Sequence, residues 1–235
     1  MPDHYFWLDG IRSVDMGIYL QSPIEFSSAV RRVGTISITG RSGDLHISDG
    51  SFENVTGTAT CYLLERYVGH ALDRLGTFLG LESGYRRLET SYEPDIYRMA
   101  RITGAPGSAV RMGLLSPFTI EFDCMPQKFL LSGEYPIIVT ETQHIHNDYM
   151  PAAPLIRVYG DSAGSIAVNG VTIQIQDIDG YMDIDCGIQN AYKESENMNA
   201  SINAPSFPVF NHGDNTIGFS GGITQLQITP RWWTL

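Results

Sequence analysis

Pro230-Arg231-Trp232-Trp233-Thr234-Leu235 closes the sequence, and Ile223, Leu226 and Ile228 lead up to it at close to every-second-residue spacing. An aromatic side chain hides about 150–250 Å² when buried, and chain ends rarely have packing partners for that burial. Two adjacent tryptophans in such a place predict a terminus packed inside a closed structure or against another subunit. The alternation before them is strand periodicity. The chain is therefore expected to finish on a β-strand that completes a sheet.

Upstream, the same period dominates. The clearest hairpin signal is Asn169-Gly170, a turn pair suited to positive φ, flanked by Ser165-Ile166-Ala167-Val168 and Val171-Thr172-Ile173-Gln174-Ile175. Leu155-Ile156-Arg157-Val158-Tyr159-Gly160 precedes them. Asp179-Gly180 is read as joining the next strand pair as a hairpin, ending in Tyr181-Met182-Asp183-Ile184-Asp185-Cys186. Short strands with glycine turns and no helical period predict a β-sandwich over this half.

The first half mixes periods. Thr35-Ile36-Ser37-Ile38-Thr39 and Leu45-His46-Ile47-Ser48 alternate around Gly40-Arg41-Ser42-Gly43-Asp44, which predicts a hairpin. Leu64, Val68, Ala71, Leu72, Leu75, Phe78 and Leu79 recur at three and four residues, so an amphipathic helix is expected over 62–80, stopped by Gly80 or Gly84. Strands return at Asp95–Ile102 and Phe118–Cys124. In the latter, Phe118, Ile120, Phe122 and Cys124 share one face, and Thr119, Glu121 and Asp123 the other. The loop-like Leu131-Ser132-Gly133-Glu134-Tyr135-Pro136 marks the expected boundary, giving domains 1–132 and 133–235.

Composition narrows the function classes. The 235 residues are 43% hydrophobic with 24 glycines and 12 prolines, which suits a turn-rich globular fold rather than disorder. A net charge of −11 without any basic run argues against binding a nucleic-acid backbone, which needs Lys and Arg to displace counterions. It remains compatible with a surface past which DNA moves without sticking. Met1-Pro2-Asp3-His4-Tyr5-Phe6 has neither the basic nor the apolar region of a signal peptide. No apolar stretch is long enough for a membrane helix. Cys61, Cys124 and Cys186 are dispersed, odd in number and set in apolar surroundings. They are expected to be small core side chains of a protein made in a reducing cytosol, not disulfides or zinc ligands.

Asp9-Gly10-Ile11 with Met16-Gly17-Ile18, then Gly40-Arg41-Ser42-Gly43-Asp44-Leu45 followed by Asp49-Gly50-Ser51-Phe52-Glu53-Asn54, form an ordered set of short motifs. It continues through Phe122-Asp123-Cys124-Met125-Pro126-Gln127-Lys128-Phe129, Pro154-Leu155-Ile156-Arg157-Val158-Tyr159-Gly160, Phe207-Pro208-Val209 and His212-Gly213-Asp214-Asn215-Thr216-Ile217. In this order and spacing, and with the Trp-Trp terminus, the chain resembles the siphophage distal tail (Dit) family nearly end to end. It departs from the family at Asn147-Asp148-Tyr149, where Asn-x-Gly is the pattern. Its second domain is also too short for the arm insertion of some members.

The resemblance implies a mainly β protein: an N-terminal β-sandwich with one α-helix and a β-hairpin, then a galectin-like β-sandwich. It implies a structural, non-enzymatic hub of the virion's tail tip, assembled in the host bacterial cytoplasm. The partners implied are further copies in a hexameric ring, the tail-tube protein and the tail-associated tip protein. Receptor-binding proteins are a further partner class of the family. DNA would pass through the central channel unbound, and no membrane insertion is implied. The hairpin from Thr35 to Ser48 is the element expected between subunits.

No catalytic, cofactor-binding or metal site is assigned from the sequence. His144, His146 and Asp148 point one way on an extended segment, as metal ligands could, but no third or fourth ligand follows from spacing. Asp177, Asp179, Asp183 and Asp185 lack the glycine and final glutamate of a calcium loop, so a solvated hairpin face is expected. Gly218-Phe219-Ser220-Gly221-Gly222 imitates a nucleophile elbow but has no triad histidine after it, and reads as a turn before the last strand. Two other classes stand beside the ring hub. A carbohydrate-binding virion protein would use an aromatic platform, for which Tyr159, Tyr181 and Tyr192 are candidates. A glycosidase would need two carboxylates, and none can be nominated.

Overall fold

The computed structural model describes residues 4–64, 76, 84–104 and 115–235. The chain forms two compact units, Met1–Lys128 with Leu235, and Phe129–Thr234. Both are built of strands. No helix among the described residues is long and apolar enough to cross a membrane.

The first unit holds β1 (Phe6–Leu8), β2 (Ile11–Arg12), β3 (Ile18–Leu20), β4 (Glu25–Phe26), β5 (Gly34–Ile36), β6 (Leu45–Ile47), β7 (Val55–Leu64), β8 (Arg86–Thr90), β9 (Glu93–Gly104) and β10 (Leu115–Leu130). Its main sheet runs β2-β1-β8-β9-β10-β7-β3, with β4 beside β7. The alternation of β10 works as the sequence suggests. Phe118, Ile120, Phe122 and Cys124 are buried, and opposite them β7 supplies Cys61, Ala59, Gly57 and Val55. The Phe6 and Phe122 rings meet edge to face with centroids 5.8 Å apart. Their strands are three places apart in the sheet, about 14 Å if it were flat. The sheet therefore folds over its own core, and the expected sandwich of this half is one continuous curled sheet.

The helix expected over 62–80 is corrected at its start, because β7 keeps its strand pairing through Leu64, which lies opposite Leu115. Gly76 is helical, and the rest of that expectation falls outside the described residues.

The second unit holds β11 (Ile137–Val139), β12 (Gln143–Asn147), β13 (Leu155–Val168), β14 (Val171–Ile175), β15 (Gly180–Asp185), β16 (Asn190–Lys193), β17 (Glu196–Asn197), β18 (Ile202–Asn203), β19 (Gly213–Thr229) and β20 (Trp233–Thr234). β13 and β19 pair along their length, but the register slips around Gly160 and Gly164. There the pair bends from one layer into another. Before the bend β13 is flanked by β15, and after it by β14. The two layers are β11-β19-β13-β15-β16-β17 and β12-β19-β13-β14-β18. Ile156, Val158, Met182 and Leu226 from the first meet Ile145, Ile166, Ile173 and Ile217 from the second in one apolar core. This is a β-sandwich made from a folded sheet.

Two local expectations change with this topology. The Asn169-Gly170 turn is as expected, with φ of 51° and 83°, and joins β13 to β14. Asp179-Gly180, however, does not join a hairpin of β14 and β15. Those strands pair with different halves of β13, so the segment between them crosses from layer to layer. Likewise Gly218–Gly222 lies inside the 17-residue β19 at the bend, and is not a turn before it. A Cβ on Gly160 would stand 2.6 Å from the Gly222 carbonyl oxygen, so close passage of the two strands requires glycine there.

The terminus is packed, as Trp232-Trp233 predicts. Trp232 is buried against Phe210 with ring centroids 5.6 Å apart, and Trp233 Nε1–H donates to the Pro151 carbonyl at 2.9 Å. β19 itself stops at Thr229, and only Trp233–Thr234 resumes strand pairing. The segment between is tied down by the Arg231 N–H donating to Gly133 and the Leu130 N–H donating to Trp232. Cys61, Cys124 and Cys186 are free and buried in the two cores, where burial pushes each thiol pKa up to about 12.

Candidate functional site

The hairpin expected between Thr35 and Ser48 forms, and its surroundings make it the main candidate surface. Its strands pair in the register Gly34–Ile47, Thr35–His46 and Ile36–Leu45. Because side chains alternate across a strand, Ile36, Leu45 and Ile47 share one face with Gly34. Thr35 and His46 occupy the other, where Thr35 Oγ1 lies 3.3 Å from His46 Nδ1. An amphipathic hairpin normally lays its apolar face on a core. This one does not: Ile36 is 48% exposed, Leu45 37% and Ile47 54%. Ile38, Val30 and Val33 beside them are exposed as well. A groove on this face is lined by Arg32, Gly34, Ile36, Ile47 and Asp49. The anchor at the hairpin's base is polar, with Ser48 Oγ–H donating to the Arg32 carbonyl and Arg31 stacked over the Phe52 ring.

The histidines weighed above as metal ligands contact other side chains. His144 and His146 lie on β12, exposed, opposite Thr216 and Asp214 of β19. His144 Nδ1 is 3.0 Å from the Thr216 hydroxyl. His146 contacts Asp214 through Nδ1 at 2.5 Å and Asp148 through Nε2 at 3.2 Å. The hydrogen bond to Asp214, and the charge of both carboxylates, raise the pKa of His146 above its ordinary 6.5. Among the described residues no three His, Cys, Asp or Glu side chains are grouped to hold a metal ion. The departure at Asn147-Asp148-Tyr149 is structural too. The Asn147 side chain, fully buried, donates to the Met150 and Phe210 carbonyls and accepts from the Tyr149 N–H.

The four aspartates separate into two pairs. Asp177 and Asp179 are exposed, but Asp183 and Asp185 are 4% and 5% exposed, which corrects the expectation of a solvated face. β15 runs between β13 and β16, and an arginine lies on each of the two carboxylates. Arg157 grips Asp183 through Nε and Nη2 at 2.7 and 2.8 Å. Arg231 grips Asp185 through Nη1 and Nη2 at 2.7 and 2.8 Å. Burial alone would raise the pKa of Asp185. The Arg231 hydrogen bonds and charge, with the Gly187 and Ile188 N–H groups, outweigh it and hold the carboxyl below 3.8. Nothing in single-sequence spacing pairs Asp185 with an arginine 46 positions away.

Of the candidate platform, Tyr159 and Tyr181 come together, and Tyr192 lies one row away beside Asp183. All three are half-buried on adjacent strands β13, β15 and β16. Tyr159 and Tyr181 are direct neighbours with ring centroids 6.3 Å apart. Arg157 and Gln227, which the sequence did not single out, stand among them. The Gly218–Gly222 segment carries no nucleophile arrangement: Ser220 Oγ is 2.9 Å from Ser165 Oγ across the strands.

Solved structures share this architecture. What they share with this protein is a mainly β fold over nearly the whole chain. The particular likeness is to the crystal structure of the SPP1 Dit protein, described as a paradigm of the hub adsorption apparatus in phages infecting Gram-positive hosts. It matches with a TM-score of 0.73 at 13% identity, covering 99% of each chain. A chain of the phage p2 baseplate in its activated, strontium-bound conformation matches with a TM-score of 0.52 at 9% identity over 96% of each chain. At these identities the likeness establishes a Dit-like fold. No family model and no curated protein matches the sequence.

Proposed function

We propose that this chain is a structural, non-enzymatic ring protein of a phage tail tip. Six copies would form a hub joining the tail tube to the tip proteins around a channel for DNA. The observation that carries this reading is the hairpin's uncovered apolar face on a chain with a Dit-like fold from end to end. Closed rings arise when one surface of a subunit meets a different surface of the next. A hairpin standing off its own core, with its aliphatic side outward, is suited to such a head-to-tail contact. The net charge of −11 suits a lumen that DNA crosses without adhering. The protein would be assembled in the bacterial cytoplasm and reside in the virion. Light scattering on purified protein tests the reading: rings are expected, and a strict monomer at high concentration would oppose it.

A second reading, carbohydrate binding, is favoured by one specific observation, the placing of Tyr159 beside Tyr181 with Tyr192 one row away on the same face. It is compatible with the first, since a hub can also carry a recognition face.

A further inference from the structure

We infer that the outward face of the β11-β19-β13-β15-β16-β17 layer is a binding site for a neutral polysaccharide chain. The proposal takes up the second reading and does not depend on ring formation. Strand pairing sets side chains there in two rows. One row reads Gln227, Arg157, Asp183, Tyr192 across β19, β13, β15 and β16. The next places Tyr159 directly beside Tyr181.

These groups are held in position by one another. Tyr159 O–H donates to Gln227 Oε1 at 3.0 Å, which holds the Gln227 amide by its oxygen. Arg157 is fixed by its fork on buried Asp183 and lies over the Tyr181 ring, 4.7 Å from its centroid. Lys193 stands 5.3 Å from the same ring and donates to the Asp179 carbonyl. A face that only meets water has no need of a buried carboxylate to pin an arginine among half-buried tyrosines. The groove of the opposite layer differs in chemistry: its lining includes Phe219, Asn169, Thr216 and Ser220, with no tyrosine and no charged side chain.

The chemistry selects the ligand. Sugars present apolar C–H faces and a fringe of hydroxyls. Tyrosine offers an apolar ring with a polar tip, and fixed amide and guanidinium groups supply directed hydrogen bonds. The charges cancel, Arg157 and Lys193 against Asp183 and Glu194, which disfavours a polyanion. Preorganised groups lose little freedom on binding.

The test is titration of the intact protein with cello-, malto- and chito-oligosaccharides, followed by NMR or calorimetry, with heparin as the anionic comparison. One neutral series is expected to saturate. Tyr192→Ala and Gln227→Ala should each weaken it about tenfold, the scale of one good contact. His144→Ala, on the other layer, should leave it unchanged. Thermal melts establish that each variant folds, and the two variants remove groups from different strands. Failure of all three series to saturate overturns the proposal. So does undiminished binding in both variants, or heparin binding as tightly. Loss of ring assembly in Tyr192→Ala would assign the face to a protein contact and overturn it equally. Light scattering on the same samples separates this outcome from failure of the hub reading itself.

Discussion

Replacing Ile36 and Ile47 together by threonine should disassemble the proposed ring while leaving the subunit folded. Complete burial of an isoleucine contributes about 1.5–3 kcal/mol. At 48% and 54% exposure, roughly half of that remains to be realised at each residue. Each side chain is thus worth about 1 kcal/mol at a contact, and the pair about 2 kcal/mol, or close to 30-fold in each contact's association constant. Threonine keeps the β-branch that suits a strand, so the hairpin's own pairing should persist. Exposed substitutions usually change stability by less than about 0.5 kcal/mol, and the melting temperature should barely move. Light scattering across a range of concentrations reads the effect as a shift from ring to monomer. Rings as robust as those of the parent protein would refute the reasoning. A large fall in melting temperature would show instead that the face is covered within the subunit.

Further outcomes follow from the second unit. Arg231→Ala strands buried Asp185 without its partner and should cost about 3 kcal/mol at neutral pH. Because Asp185 is held below 3.8 when folded, its contribution is present above that value and lost as pH falls through the folded pKa. The gap between parent and variant in denaturant melts should therefore close in acid, and a gap independent of pH would contradict the pairing. His146 should titrate above 6.5 by NMR and fall back toward it in Asp214→Asn. Its raised pKa stabilises the fold below 6.5, and that contribution disappears as pH rises through the folded value; a titration in the variant unchanged from the parent's would refute the contact. Gly160→Ala drives a Cβ against the Gly222 backbone and should destabilise the protein by about 2 kcal/mol or more. A melt equal to the parent's would show that the bend can relax.

Local pattern made much of this architecture legible. Alternation located β10 and the hairpin strands, Asn169-Gly170 located a turn, and Trp232-Trp233 located a packed terminus. What escaped depended on pairing over long distances. β14 and β15 are close in sequence, yet each adds to a different half of the bent β13. Gly218–Gly222 looked like a turn because its glycines serve a strand bend, and the two needs share a composition. Asp183 and Asp185 alternate like surface residues, and only the placement of Arg157 and Arg231 shows them to be buried pairs. The hairpin's alternation was visible, but the absence of a core beneath its apolar face was not. The three tyrosines were nominated from sequence, while Arg157 and Gln227 joined them only through strand register.

Electron cryomicroscopy of the purified chain tests the central claim most directly. The account predicts closed rings with an open centre and the Thr35–Ser48 hairpin pressed against the adjacent copy. Solitary particles at every concentration, or a ring in which that hairpin faces solvent, would contradict it.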